Sequence, residues 1–188
     1  MKVFIKYCTC FLFFIFLLGC QVYRLQFDKE LPEEDKLPEK FKERIIRLKK
    51  IHYKYSDSIS FQIINKHENY IFFKLENENH YLHLGHVESW VVFNHKKGIP
   101  QLINRITNTK EVGFTGSVNL VIINRVENGD MPLEPGKVID DDLFRVSGRA
   151  NYILKEITGE DFGNAGMYAT DKELKKLQRK WIKWYNSL

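Results

Sequence analysis

The sequence predicts a mainly α-helical domain, and three observations carry that expectation. Apolar residues recur at helical spacing from residue 86 onward, as in Val87, Trp90 and Val91 and again in Leu174, Leu177 and Trp181. Helix punctuation brackets those runs: Thr170 to Glu173 forms a capping box, and Gly98 and Gly159 follow apolar runs as left-handed stops. The length, 188 residues, suits a single domain with a real core. The expected architecture is a small antiparallel array of α-hairpins over residues 41–188, with a short β-hairpin admitted near residues 58–76.

The first nineteen residues read as a secretory leader. Lys2 and Lys6 make a basic start, and an apolar run follows from Tyr7 to Leu18. That run is about a dozen residues, short for the ~30 Å hydrocarbon core of a bilayer at 1.5 Å per residue. The stretch Leu17-Leu18-Gly19-Cys20 resembles the bacterial lipobox, with Leu18 where a smaller residue is usual. The resemblance covers residues 1–20. It implies that Cys20 is diacylated, becomes the new N-terminus and anchors the chain in a membrane. Gln21 is similar to the residue that sorts such proteins to an outer membrane. The implied location is the bacterial cell envelope, on the periplasmic or external face of the outer membrane in a double-membraned cell.

Cysteine use agrees with export. The three cysteines are Cys8, Cys10 and Cys20. Cleavage before Cys20 removes two of them, so the mature chain has no disulfide and stands on its core. The formal charge of +5 includes Lys2 and Lys6 of the leader, so the remainder is mildly basic. That mild charge gives no nucleic-acid signature, for which a clustered basic face would be wanted, and no nucleic acid is expected as a partner.

Residues 20–40 read as a flexible tether, with Pro32, Pro38 and dense charge between them. Pro38 to Tyr55 turns helical through Phe41, Ile45, Ile46 and Leu48. Its many cations fit an anionic membrane surface, and more ordinarily a solvated helix face. In residues 58–84, Ile59, Phe61 and Ile63 alternate, and Tyr70 to Leu75 is aromatic and β-branched. His67-Glu68-Asn69 would turn a hairpin between two strands.

From His86 a short helix is expected to end near Lys97-Gly98. Ile99-Pro100 then opens another, with proline in the first turn and Leu102, Ile103 and Ile106 inward. Residues 108–116 read as a loop, 117–126 as the most buried helix, and 127–138 as a loop rich in Gly and Pro. A helix is expected from Leu143 to about Thr158, stopped by Gly159. The acidic run Asp140-Asp141-Asp142 before it complements the positive end of its dipole. A last helix runs from Asp171 to Asn186, its inner stripe Leu174, Leu177, Trp181, Trp184 or Tyr185, and Leu188.

Trp90 followed by Gly98-Ile99-Pro100-Gln101-Leu102-Ile103 resembles HEAT-like α-hairpin repeats. So does the ending, Ala150 to Gly163 and then Trp181-Ile182-Lys183-Trp184. The resemblance covers residues 86–188 and implies stacked helical pairs with a surface for protein partners. No clean repeat of ~40 residues is visible, which points to a compact domain rather than a long solenoid.

Candidate chemistry is sparse. His80, His83 and His86 offer three imidazoles of the kind zinc takes, and they carry the alternative reading of a metal-binding or metal-dependent hydrolytic lipoprotein. No H-E-x-x-H pattern accompanies them. On a helix a spacing of three turns successive ligands away from one another; on a strand His83 faces opposite to His80 and His86. Histidines near a turn are the plainer reading. The aspartate run lacks the alternating ligands of a calcium loop. No serine elbow, phosphate-binding loop or cofactor motif is present. The leading expectation is a non-enzymatic cell-envelope lipoprotein, held to a membrane by its lipid and binding a protein partner through aromatic residues at helix ends. Tyr152, Trp184 and Tyr185 are the candidates.

Overall fold

The computed structural model describes residues 27–54, 65–116 and 140–188. Among the described residues the chain forms helices α1 (Glu39–Lys54), α2 (Glu68–Asn77), α3 (Leu82–Phe93), α4 (His95–Arg105), α5 (Val146–Thr158) and α6 (Asp171–Ser187), with a 3₁₀ turn at Glu34–Lys36. Extended pairing among them is confined to two isolated bridges, His80 with Thr115 and Glu111 with Arg145. The mainly helical class expected from the sequence is what the chain adopts. The leader with Cys20, the Ile59-Phe61-Ile63 strand and the 117–126 helix lie outside the described residues.

Helix α5 is the centre of the assembly. It packs against α1, α3 and α4 and touches α2; α2 pairs with α3, α3 with α4, and α4 with α6. Its burial follows from that position. Val146, Ala150, Ile153, Leu154 and Ile157 are enclosed, and so are the polar Ser147, Arg149, Asn151 and Thr158. Around it α1 contributes Phe41, Ile45 and Leu48, α3 Val87, Trp90 and Val91, and α4 Ile99, Leu102 and Ile103. Helix α6 lays down Leu174, Leu177, Trp181 and Tyr185, four positions spaced for one helical face.

The β-hairpin does not form at its second arm. Tyr70 to Leu75 is the body of α2. Ile71, Phe72 and Leu75 are buried while Tyr70 and Phe73 are exposed, a spacing of one and three that only a helix satisfies. His67, expected in the turn, caps the helix instead: its Nδ1 accepts from the Asn69 N–H at 3.2 Å.

The junction of α3 and α4 also differs from expectation. The break falls at Asn94, which leaves helical geometry at φ −121°, ψ 39°. The Asn94 N–H and Nδ2 both donate to the Trp90 carbonyl, at 2.9 and 3.1 Å. Its own carbonyl accepts from Lys97 and Gly98, opening α4. Gly98 therefore lies inside α4, and its role is close approach: a Cβ there would stand 2.7 Å from Val91 Cγ1 on α3. Pro100 sits inside α4 rather than in its first turn, so it has no N–H to return to the Lys96 carbonyl.

Residues 27–40 are not a free tether. Leu31 and Leu37 are 2% and 5% exposed and belong to the core. Glu33 pairs with Lys96 on α4, and Glu34 with Lys49 on α1. The Phe27 ring meets Tyr185 edge-on at 4.7 Å. The two leucines, with these ion pairs and the Phe27 contact, contribute toward the cost of ordering a segment that otherwise carries little apolar surface.

Helix α5 opens at Val146, three residues later than the periodicity places it, and Gly159 stops it as expected with φ 72°. No side chain caps its start. The first-turn donors find main-chain partners in the 108–116 loop: Val146 N–H to Lys110 and Ser147 N–H to Asn108, at 3.1 and 2.9 Å. The capping box of α6 is present, with Glu173 Oε2 accepting from the Thr170 N–H at 2.8 Å.

Candidate functional site

Two buried polar side chains on α5 fix the loops that surround it. Arg149, 3% exposed, spreads its guanidinium over four carbonyls. It donates to Leu143 at 2.8 Å, Leu75 at 2.9 Å, Glu78 at 2.8 Å and Gly113 at 2.5 Å. Leu75 and Glu78 lie at the C-terminal end of α2, where unpaired carbonyls and the helix dipole both favour a cation. Burial draws the Arg149 pKa down to about 10, which leaves it charged at neutral pH. The planar fork suits this position because one side chain reaches four carbonyls from three segments.

Asn151 is the second. Its Nδ2 donates to Asp141 Oδ1 at 2.8 Å and to the Gly163 carbonyl at 2.9 Å. Its Oδ1 accepts from Trp181 Nε1 at 2.8 Å. Asp141 also accepts from the Ala165 N–H at 2.7 Å, and Lys155 Nζ stands 3.2 Å from its other oxygen. Burial pushes the Asp141 carboxyl above its ordinary range, while the bonds from Asn151 and Ala165 pull the other way. The expected service of the aspartate run to the α5 dipole is not what these residues do. Asp141 and Asp142 are buried and precede the first helical residue by several positions. Asp142 Oδ1 caps the Phe144 N–H at 3.1 Å instead.

What this framework positions is the loop from Phe162 to Ala169. Between that loop and α6 lies an open groove of about 680 Å³, whose lining includes Asp140, Met167, Tyr168, Lys176, Leu177 and Lys180. Lys180 Nζ closes one wall by donating to the Phe162 carbonyl at 2.8 Å. Tyr168 is 90% exposed and Met167 55%. Arg145 Nη1 holds the Met167 carbonyl at 3.0 Å, next to the exposed ring of Phe144.

Two of the three aromatic residues expected at the surface, Tyr152 and Tyr185, are placed differently. Tyr152 and Tyr185 are 8% and 2% exposed, so neither stands out as an anchor. Burial raises the Tyr185 pKa. Trp184 is half-buried, its ring 5.6 Å from Phe41 and 5.5 Å from Trp181. The reason lies in α6: Tyr185 continues the stripe of Leu174, Leu177 and Trp181, while Phe27 covers it from outside. Tyr168, a lone tyrosine in a loop between Gly166 and Thr170, carries no periodicity that would mark it in the sequence.

His80, His83 and His86 come close as a chain rather than as a cluster. Ring centroids are 6.4 Å apart for the first pair and 5.6 Å for the second, both edge-on. His80 precedes α3 and its Nδ1 accepts from the Leu82 N–H at 3.3 Å. His83 stands 3.7 Å from Glu78 and 3.5 Å from the Lys74 ammonium. Among the described residues no group of three or more His, Cys, Asp or Glu side chains is arranged to hold a metal ion. Burial, with the neighbouring His83 and Lys74, draws the His86 pKa down to about 4, so its ring is neutral at physiological pH. No helix among the described residues is long and apolar enough to cross a membrane.

Comparison with protein families, with curated proteins and with solved structures finds no match to this chain.

Proposed function

We propose that this chain is a cell-envelope lipoprotein, acylated at Cys20, whose helical domain binds a protein partner beside the membrane. The observation that carries the reading is Leu17-Leu18-Gly19-Cys20 after a basic start and a short apolar run. The cysteine census supports it, since Cys20 is the one thiol the mature chain would keep. Several acyl chains on one cysteine make a stable anchor.

The partner surface that fits this role is the edge formed by Phe144, Met167 and Tyr168. All three are more than half exposed, and their loops are fastened to α5 by Arg145, Asn151 and Asp141. A rigidly held aromatic residue loses little entropy on binding, which is what makes such residues effective anchors. Arg149 is spent on backbone carbonyls, and Asn151 and Asp141 on each other and on the Gly163 and Ala165 backbone, so these buried groups serve to hold the loops in place.

The test is chemical cross-linking of the membrane-bound chain, capture, and mass spectrometry of the recovered complex. A defined envelope protein should be recovered in stoichiometric amount, and Tyr168→Ala with Phe144→Ala should lose it. Capture of the unaltered chain with no stable partner contradicts the reading.

A further inference from the structure

Helix α6 presents a single-sign face. Lys172, Lys175, Lys176, Arg179, Lys180 and Lys183 are all exposed, while Leu174, Leu177, Trp181 and Tyr185 face the core. At 100° per residue the cations fall within an arc of about 140°, opposite the buried stripe. The acidic residues of the helix, Asp171 and Glu173, sit in its first turn, and Glu173 is engaged in the capping box.

The N-terminal segment joins the domain at the other end of this face. Asp28 and Asn186 exchange two hydrogen bonds, Asp28 N–H to Oδ1 at 3.2 Å and Asn186 Nδ2 to the Asp28 carboxylate at 3.0 Å. On the helical wheel Asn186 falls between Lys175 and Arg179, inside the cationic arc. Glu30 also stands at this end, beside Tyr185, with Lys29 between it and Asp28.

Seven residues of chain lead from Cys20 to Phe27. Whatever their path, they reach at most about 25 Å. Helix α6, with 17 residues, is itself about 26 Å long. An acylated Cys20 therefore places the bilayer surface within one helix length of the end of α6. Surface charge acts over a Debye length of about 8 Å at physiological salt. A long free linker would let the domain drift many Debye lengths away, whereas pinning from residue 27 caps the separation at about three and leaves close approach within reach.

We propose that the cationic face of α6 is the surface with which the domain lies against anionic lipid headgroups. The proposal rests on the lipoprotein reading of Cys20 and adds an orientation to it: α6 toward the membrane, its C-terminal end nearest the point of anchorage. Lysine and arginine on such a face gain attraction to an anionic leaflet one by one.

The acylated full chain, reconstituted into vesicles of phosphatidylcholine with or without phosphatidylglycerol, tests this through the reactivity of its lysines. A water-soluble acetylating reagent is applied and each site is quantified by mass spectrometry against Lys40 on α1. Acetylation of Lys175, Lys176 and Lys183 should slow by about fivefold or more on the phosphatidylglycerol vesicles only, and salt should abolish the protection. Equal rates on both vesicles, with the protein still vesicle-bound, overturn the proposal and leave the anchor standing. Failure to remain on either vesicle removes the anchor and the proposal together. Equal protection on phosphatidylcholine vesicles by added duplex DNA assigns the face to nucleic acid and overturns it as well.

Discussion

The side-chain oxygen of Asn151 accepts the indole N–H of Trp181 at 2.8 Å, deep between α5 and α6. The amide nitrogen of the same residue is committed to Asp141 and Gly163, so the orientation of the side chain is set by three partners at once. Asn151→Leu leaves a buried indole N–H, a buried carboxylate and a carbonyl short of a partner. Each such group costs about 1–3 kcal/mol. Urea unfolding should show a loss of about 3 kcal/mol or more with the m-value unchanged. A loss under about 1 kcal/mol would mean the network contributes little.

Arg149 gathers four carbonyls from three segments. Arg149→Met keeps the aliphatic bulk and removes every donor, and should cost about 3 kcal/mol or more, since hydrogen bonds to charged groups contribute about 1.5–3 kcal/mol each. Arg149→Lys should recover less than half of it, because a single ammonium cannot fork over four acceptors. Thermal melts of the two variants beside the parent give the comparison; full recovery in the lysine variant would contradict the clamp.

The docked N-terminal segment makes a prediction that a free tether does not. Leu37 is 5% exposed in the core. Leu37→Ala should destabilise the domain by about 2–4 kcal/mol. On a solvated tether the same change would do nothing. Amide hydrogen exchange should also show the Lys36 and Leu37 amides protected in the parent chain and exposed in the variant.

Stability should fall as the solution is acidified. The ring of His86 titrates near 4 when folded and near 6.5 when unfolded. Burial likewise lowers His83 and His95. Over that window the unfolded chain binds more protons, so stability is complete above pH 6.5 and is lost toward pH 4. Each fully shifted histidine contributes a slope of up to about 1.4 kcal/mol per pH unit. Asp141 opposes this at the acid end, because its raised pKa lets the folded chain take up a proton before the unfolded one does. Urea midpoints measured across this range should lose part of their slope in His86→Gln. An unchanged slope would show that His86 is not held neutral by the fold.

Gly148 marks a contact between α5 and the 140–145 loop. A Cβ built there would lie 2.0 Å from the Asp142 carbonyl oxygen. Gly148→Ala should destabilise by about 1–3 kcal/mol despite the better helix propensity of alanine. A neutral or stabilising result would place the loop elsewhere.

How much of this was legible in the sequence depends on where the signal resides. Helices α1, α5 and α6 carry their own periodicity and punctuation, and most of their expected apolar positions face inward, with Ile46 and Phe144 exposed and Tyr185 rather than Trp184 taking the last turn of α6. Helix α2 was not legible because Tyr70 to Leu75 is short, aromatic and β-branched, a composition that fits a strand as well. The burial of Leu31 and Leu37 was hidden for another reason. Two leucines in a charged, proline-bearing segment show no period, and the groups that receive them come from distant parts of the chain. Arg149 and Asn151 leave no motif either, since most of their partners are backbone carbonyls and loops. The exposed Tyr168 is the same problem reversed: surface position is set by the loop path, not by residue type.

The central claim concerns the start of the chain, and intact-mass analysis of the mature protein taken from cell membranes tests it most directly. The account predicts a chain that begins at Cys20 and carries the added mass of its acyl groups, with Cys20→Ser released to the soluble fraction. A membrane-bound chain that retains residues 1–19, or an unmodified Cys20 on a soluble protein, would contradict it.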